Sequence, residues 1–239
     1  MQGTSRPPRC APLSSGSCPE PLPGFVGLFF LYFDNEFDAE RKPAELLTFA
    51  LISEGQQVGE LVTGSGYTTE LLSRAVGPLG VVYGQNPRRA LTRGSEATRQ
   101  ERVQRLFNVV RLDRALDDPF PMHLSNTLDL VLSNATYHDA AWLGADRARL
   151  NHAVLRALKP GGRYVVCDSA AGEGRGDLDA LTAHRIEERT VREEVLRAGF
   201  RFDADAGDLC DWNGSPIGKA EKPEAHDRFC LRFVRPHEP

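Results

Sequence analysis

The sequence is poor in the features that identify several common classes of protein. Its 29 basic residues are outnumbered by 33 acidic residues and no basic stripe is present, so a nucleic-acid partner is not predicted. The five cysteines include no CxxC pair, and their odd number argues against a disulfide framework and against a metal site. The longest apolar run, residues 25–33, is far too short for a transmembrane segment.

The cysteines fall into two groups. Cys10 and Cys18 lie in a segment rich in proline and serine, where free thiols are expected. Cys167 and Cys230 lie in apolar runs typical of strands, which predicts that both are core residues.

Residues 1–33 are predicted to be a disordered or loosely packed N-terminal extension. The first 24 residues are rich in proline, serine and glycine without hydrophobic periodicity. The apolar run 25–33 then packs on the domain or on a partner. Two arginines precede this run, as in a secretion signal, but prolines interrupt the segment and no A-x-A cleavage site follows. A cytoplasmic location is therefore predicted, with a secreted or periplasmic one as the alternative.

The most informative segment is a strand, a glycine turn and a helix. Residues 58–62 form a short apolar strand, Gly64 and Gly66 follow, and a helix carrying apolar residues begins at residue 67. In this arrangement backbone N–H groups meet a nucleotide-like ligand at the N-terminus of a helix. A second strand ends in Gln85 and Asn86, about 20 residues after the turn, where ribose hydroxyls are usually bound.

Strand and helix patterns alternate over residues 34–239, which predicts one α/β domain. The predicted strands are 57–62, 81–85, 108–112, 128–133, 162–168, 200–204 and 228–234, and the main predicted helices are 67–76, 88–106, 146–158 and 183–198. This order specifies a Rossmann-like, doubly wound sheet with helices on both faces. No convincing helix precedes the seventh strand, which can therefore turn back and run antiparallel.

This order of elements resembles that of the class I S-adenosylmethionine-dependent methyltransferases, whose sheet has seven strands with the last antiparallel. Residues 60–66 look like the family's acidic, glycine-rich cofactor loop, and residues 158–162, Leu-Lys-Pro-Gly-Gly, look like its helix stop. A closer resemblance is to a bacterial group of predicted methyltransferases of unassigned substrate. Its features are found here as Tyr67-Thr-Thr-Glu70, Asn86-Pro87, His138-Asp139 and His184-Arg-Ile-Glu187.

The resemblance implies S-adenosyl-L-methionine as the cofactor and a set of residues that bind it. These cofactor-binding residues are Glu60, Thr63, Gly64, Ser65, Gly66, Gln85, Asn86, Asp113 and Asn134. Glu60 would hold the methionine ammonium, or alternatively cap loop N–H groups, and Asp113 would meet the adenine amino group, or alternatively be a solvated loop acid. Val62 replaces the family's first loop glycine. Gln85 and Asn86 stand where the family has an acidic residue at the end of the second strand. Both departures predict weakened cofactor affinity.

The candidate catalytic and substrate-binding residues follow the fourth and fifth strands. The carboxyl edge of an open α/β sheet is where ligands bind. His138 is predicted to take a proton from the substrate, oriented by Asp139 or a neighbouring acid, with His184 contributing from the opposite lip. The predicted substrate-binding residues are Tyr137, Asp168 and Arg185, although Arg185 has an ion pair with Glu188 as its alternative role.

The predicted function is methyl transfer to an unidentified small-molecule acceptor, with no prediction of oligomeric state. One alternative is a non-catalytic ligand- or partner-binding module on a degenerate methyltransferase fold, favoured by Val62 and Asn86. A nicotinamide-dependent oxidoreductase is a further alternative. It is disfavoured because the third glycine of the dinucleotide fingerprint and a Tyr-x-x-x-Lys pair are both absent.

Overall fold

The structure, a computed structural model, describes residues 42–87, 93–206 and 228–237, with residues 93–96 described by their backbone alone. The predicted N-terminal extension, residues 1–33, lies outside these ranges, as do Cys10, Cys18 and Cys210. Within the described ranges, no helix combines the length and the apolar character needed to cross a bilayer.

Helices and strands alternate along the described chain, as the sequence predicts. The strands are β1 (Gln57–Leu61), β2 (Val81–Gln85), β3 (Val109–Leu112), β4 (Leu128–Asn134), β5 (Leu158–Ser169), β6 (Arg201–Asp205) and β7 (Arg228–Val234). The helices are α1 (Pro43–Phe49), α2 (Tyr67–Val76), α3 (Arg93–Val103), α4 (Tyr137–Trp142), α5 (Arg147–Ala157) and α6 (Glu188–Arg197), with a short 3-10 helix at Met122–Leu124. Helix α4 was not predicted, because six residues give too short a hydrophobic period to recognise.

The seven strands form one sheet in the order β3-β2-β1-β4-β5-β7-β6. Strands β1 to β5 pair in parallel, whereas β7 is antiparallel to both β5 and β6. The predicted Rossmann-like α/β fold with an antiparallel last strand is therefore confirmed. The chain winds outward in both directions from β1 and β4, so the crevice at their carboxyl ends is the topological switch point.

Local sequence explains where the elements next to this crevice begin and end. The carboxylate of Asp146 accepts the backbone N–H of Arg149 at 3.0 Å and caps the start of α5. Helix α5 ends at Ala157, immediately before the Lys-Pro-Gly-Gly segment that leads into β5. The side chains of Leu130, Val131 and Val165 are fully buried, as expected for central strands covered on both faces.

Cys167 and Cys230 are buried core residues, as predicted, but they are also joined. They are directly opposed on the antiparallel strands β5 and β7, and the structure has a disulfide between them. This pairing departs from the prediction that the sequence holds no disulfide framework. The two residues are 63 positions apart, and only the register of β5 against β7 brings them together.

Candidate active site at the carboxyl edge of the sheet

The turn between β1 and α2 has the open backbone that the glycines predict. Gly64 and Gly66 have φ of +52° and +82°, in the left-handed region that favours glycine. A Cβ added at Gly64 would meet no atom within 4 Å, so a ligand has room to approach its main chain. Val62 also has a positive φ of +52°, which is unusual for a β-branched residue. Ser65 lies exposed in the same turn.

Glu60 is a buried carboxylate directly beneath this turn. Its Oε2 accepts a hydrogen bond from the Thr69 hydroxyl at 2.6 Å, and its side chain is only 3% exposed. Burial raises the pKa of Glu60 to about 7, although the Thr69 hydrogen bond and the charge of Arg99 act in the opposite direction. A desolvated carboxylate that accepts one hydrogen bond from the described residues is a suitable partner for an ammonium group.

The two amides after β2 have different surroundings. Gln85 is fully engaged within the protein: its Oε1 accepts the Val62 N–H at 3.2 Å and its Nε2 donates to the Arg114 carbonyl at 2.8 Å. Gln85 therefore braces the turn, a role that the sequence did not predict. Asn86 is fully buried, and neither its Oδ1 nor its Nδ2 has a hydrogen-bond partner among the described residues. Each unpaired buried group costs about 1–3 kcal/mol, which ribose hydroxyls would offset.

Two further unpaired oxygens lie at the ends of neighbouring strands. Thr63 Oγ1, just past β1, and Asn134 Oδ1, at the end of β4, are buried with no hydrogen-bond partner in the part of the chain that the structure describes. The other amide atom of Asn134, Nδ2, lies 3.4 Å from the hydroxyl of Thr68 on α2. Unpaired polar atoms at the ends of β1, β2 and β4, together with the open main chain at Gly64, fit an adenosine-type ligand that carries several hydroxyls.

Asp113, the predicted adenine contact, is held by two arginines. Its Oδ1 accepts from Arg111 Nε at 3.0 Å and from Arg99 Nη2 at 3.4 Å. The Arg111 hydrogen bond is the main reason that the pKa of Asp113 lies below its usual value. Arg99 is buried and also faces Glu60, a position that its polar helix gave no reason to predict.

A histidine–aspartate pair lies on the other side of the crevice. His138 is in the first turn of α4, and Asp168 is the fully buried penultimate residue of β5. Asp168 Oδ1 lies 2.7 Å from His138 Nδ1, while Oδ2 accepts the backbone N–H of His138 at 2.9 Å. Asp168 thus fixes both the ring and the backbone of His138. It was predicted to bind substrate, but the structure uses it to orient His138, because parallel β4 and β5 place it beside the start of α4.

The orientation of His138 determines its chemistry. Since Nδ1 is hydrogen-bonded to a carboxylate, the neutral ring carries its proton there and presents a lone pair at Nε2. Burial disfavours the charged ring, but Asp168 and Asp139 together outweigh this effect and raise the pKa of His138 above its usual value. Nε2 lies 3.4 Å from Asp139 Oδ1, and Asp139 is itself held by Trp142 Nε1 at 2.6 Å.

A returning segment brings His184 to the same place. An isolated bridge pairs Ala170 with Ile186, so the chain after β5 leaves the sheet edge and comes back to it. The rings of His138 and His184 are 5.3 Å apart and nearly perpendicular, and His184 has a positive φ of +54°. Arg185 donates to the Ala170 carbonyl at 2.7 Å, which secures the bridge. Glu188, the alternative partner predicted for Arg185, pairs with Arg192 at 2.7 Å.

The side chain of Tyr137 is buried in the protein core and does not face the crevice. Its ring is 1% exposed within the main hydrophobic cluster. Its hydroxyl donates to Glu194 Oε2 at 2.9 Å and accepts from Asn151 Nδ2 at 2.8 Å. Both hydrogen-bonding functions of the hydroxyl are therefore engaged inside the protein, which explains its position better than the predicted substrate contact does.

Comparison with known proteins agrees with this geometry. Residues 60–166 match the family model for a methyltransferase domain, a segment that runs from Glu60 into β5. A solved S-adenosylmethionine-dependent methyltransferase from Aquifex aeolicus is 20% identical, with a TM-score of 0.61 over 84% of this chain and 93% of that one. Fibrillarin from Aeropyrum pernix, solved with natively bound S-adenosyl-L-methionine, is 18% identical, with a TM-score of 0.56 over 83% and 76% of the two chains.

A third similar structure has the same architecture. It is the TehB-like S-adenosylmethionine-dependent methyltransferase from Corynebacterium glutamicum, at 14% identity and a TM-score of 0.54 over 82% of this chain and 88% of that one. At these identities the structures show the common fold, and residues 60–166 match the model of a methyltransferase domain. The fold of this chain is therefore similar to that of solved S-adenosylmethionine-dependent methyltransferases.

Proposed function

We propose that this protein methylates a small-molecule acceptor at a nucleophilic atom that lies against His138, Asp139 and His184. The observation that carries this proposal is the buried Asp168–His138 pair, because it holds a lone pair at Nε2 in one orientation at the ligand-binding edge. A base whose ring and backbone are both fixed by a fully buried carboxylate supports catalysis over a binding module.

We assign cofactor binding to residues at or near the carboxyl ends of β1 and β2. Asn86 would bind the ribose hydroxyls, the main chain at Gly64 would lie against the cofactor, and Glu60 would hold the methionine ammonium. The cofactor, when bound, supplies an electrophilic methyl group whose bond to sulfur breaks as the acceptor's lone pair forms the new bond. The protein aligns the acceptor and excludes water, and His138 Nε2 receives the acceptor's proton.

The test measures formation of S-adenosylhomocysteine with a panel of small hydroxyl, amine and thiol acceptors. Asp168→Asn keeps the shape of the side chain but removes the charge that fixes the His138 tautomer, so we expect kcat to fall by about 10²–10⁴. His138→Asn should produce a similar loss with little effect on cofactor affinity. His123, exposed on the 3-10 helix at the opposite end of β4, provides the control His123→Ala, which should retain full activity.

Two results would count against the proposal. Purified protein that neither carries the cofactor nor binds it in titration calorimetry cannot be a methyltransferase. Cofactor binding with full turnover in both His138→Asn and Asp168→Asn would leave the domain assignment intact but remove the proposed role of the pair.

A further inference from the structure

Two lone pairs face each other in the His138 cluster, which consists of His138, Asp139, Asp168 and His184. Nδ1 of His138 is 2.7 Å from Asp168 Oδ1 and carries a proton, so Nε2 of the neutral ring has a lone pair. Nε2 lies 3.4 Å from Asp139 Oδ1, which also has only lone pairs to offer. Such a contact is repulsive unless a proton or a metal ion lies between the two atoms.

The spacing in the cluster suits a metal ion. Ligand atoms held about 2.0–2.1 Å from a tetrahedral ion lie about 3.4 Å from each other. The separation of Nε2 and Oδ1 is 3.4 Å, and a ring nitrogen of His184 completes a set whose ligand atoms all lie within 4.8 Å of one another. His184 is exposed, so its side chain can adjust by the small distance that closes the set around an ion.

We propose that His138, Asp139 and His184 form a binding site for a divalent transition-metal ion such as Zn²⁺ or Co²⁺. Two imidazoles and one carboxylate favour such ions over Mg²⁺ and Ca²⁺, which prefer all-oxygen ligands. Three protein ligands leave at least one coordination position open, as in catalytic metal sites. The site could not be recognised from the sequence, because His184 lies 46 positions after His138 and no ligand spacing of a known metal motif is present.

The surroundings of the cluster support its ligands. Asp168 binds the Nδ1 proton of His138, the usual partner of a metal-binding histidine, and is itself held by the Ser169 N–H at 2.8 Å. Trp142 Nε1 donates to Asp139 at 2.6 Å and fixes that carboxylate. Arg228, at the start of β7, also faces His138 and opposes a cation. Because the two carboxylates of Asp139 and Asp168 carry more negative charge than the one positive charge of Arg228, the net charge around the cluster still favours a cation.

If the protein is a methyltransferase, as proposed above, a bound ion would favour acceptors whose nucleophilic atom can bind a metal. An acceptor with a hydroxyl or thiol would bind at the open position through that oxygen or sulfur. The positive charge lowers the pKa of the bound group, so its proton leaves to solvent and the lone pair becomes available for the methyl group. In this form His138 serves as a ligand and not as the proton acceptor, a difference that chelation can reveal.

The experiment titrates the full-length, metal-free protein with Co²⁺, followed by visible absorption, and with Zn²⁺, followed by calorimetry. We expect one ion per chain, with d–d bands of a nitrogen- and oxygen-ligated Co²⁺ site. His184→Ala should weaken binding of both ions by at least about tenfold, and Asp139→Asn should do the same. The matched control is His123→Ala, which removes another exposed histidine and should leave both titrations unchanged.

The outcomes separate this inference from the proposed function. Absence of saturable Co²⁺ and Zn²⁺ binding, or binding that His184→Ala leaves unchanged, overturns the metal site. Full methyl transfer by the metal-free protein also overturns the ion's role, while the proposed function stands with His138 as the base. Binding that depends on His184 in a protein without methyltransferase activity supports the site and counts against the proposed function.

Discussion

At the scale of single residues, the carboxyl edge of the sheet has several buried polar atoms without a partner among the described residues and several non-glycine residues with positive φ. Asn86 is buried, and neither of its amide atoms has a hydrogen-bond partner within the described ranges. Val62, Ala135 and His184 have positive φ without being glycine, and each lies next to a predicted ligand-binding residue or is one. Such features are unfavourable for stability and persist where a ligand site requires them.

Glu60 makes the stability of the protein depend on pH. Its pKa is raised from 4.5 to about 7 by burial, so the folded protein holds this proton more tightly than the unfolded chain does. The resulting stabilisation is fully present below the unfolded pKa and is lost as pH rises through the folded pKa. We expect the contribution of Glu60 to the free energy of unfolding to fall by about 3 kcal/mol as the pH rises from about 4.5 to about 7.

Urea unfolding of the wild type and of Glu60→Gln across this pH range measures the effect. Glu60→Gln should flatten the dependence, since glutamine does not titrate. If Glu60 also holds the cofactor's ammonium, wild-type cofactor affinity should increase as pH rises through about 7, and Glu60→Gln should abolish that increase. Identical pH profiles for the two proteins would contradict the buried, protonated state of this carboxyl.

At the scale of elements, the turn between β1 and α2 borders the proposed cofactor site. Gln85 holds this turn from the end of β2 through the Val62 N–H, and the backbone N–H of Thr63 donates to the Gln85 carbonyl at 3.0 Å. The turn is therefore braced independently of any ligand. Its one departure from a glycine-rich loop is the side chain of Val62, which packs partly against the core.

Val62→Gly should improve cofactor binding by about 1 kcal/mol, or about fivefold, because it removes a side chain from the approach to the methionine end. Stability should change little, since relief of the positive φ offsets the lost apolar contact. Titration calorimetry with S-adenosylmethionine gives the affinity. Leu51 has a similar φ of +53° away from the turn, so Leu51→Gly is the matched control and should leave affinity unchanged. Equal affinities in all three proteins would show that Val62 does not narrow the site.

At the scale of the whole molecule, the sheet packs tightly against its covering segments at the middle of β1. Gly59 lies in the middle of β1, and a Cβ there would come within 2.6 Å of the Phe120 ring and 3.0 Å of Leu128. Phe120 and Leu128 are fully buried, so neither has open space into which to move. The φ of Gly59 is not positive, so its backbone conformation does not require glycine. Glycine is required at this position only because a side chain would clash with its neighbours.

Gly59→Ala should lower the free energy of unfolding by about 1–3 kcal/mol through overpacking. For a chain of this size, this corresponds to a fall in Tm of about 2–4 °C per kcal/mol, measured by calorimetry. Gly172 is also free of positive φ, and a Cβ there would meet Arg175 at an ordinary 3.6 Å. Gly172→Ala should therefore be nearly neutral, and a comparable loss in both variants would contradict the packing argument.

Much of this architecture could be predicted because its signals are local. The glycine turn, the apolar strands and the Lys-Pro-Gly-Gly stop after α5 are each encoded within a few residues, and the order of elements then leaves one common topology. The roles of Asp168, Gln85 and Tyr137 could not be predicted, because each depends on a partner from a distant strand or helix. Helix α4 was missed because its six residues are too few to show a hydrophobic period, although Asp168 accepts the backbone N–H of His138 in its first turn.

The sequence alone determined the class of fold, the antiparallel last strand and the position of the cofactor turn, because hydrophobic period and glycine placement act over short distances. Tertiary structure alone decided which polar groups are paired and which are left unpaired. Parallel register brings Asp168 to His138, and the Ala170–Ile186 bridge brings His184 beside them. Hydrogen bonds and ion sites require placement within a few tenths of an ångström, and only a packed sheet edge places residues from separate segments with that accuracy.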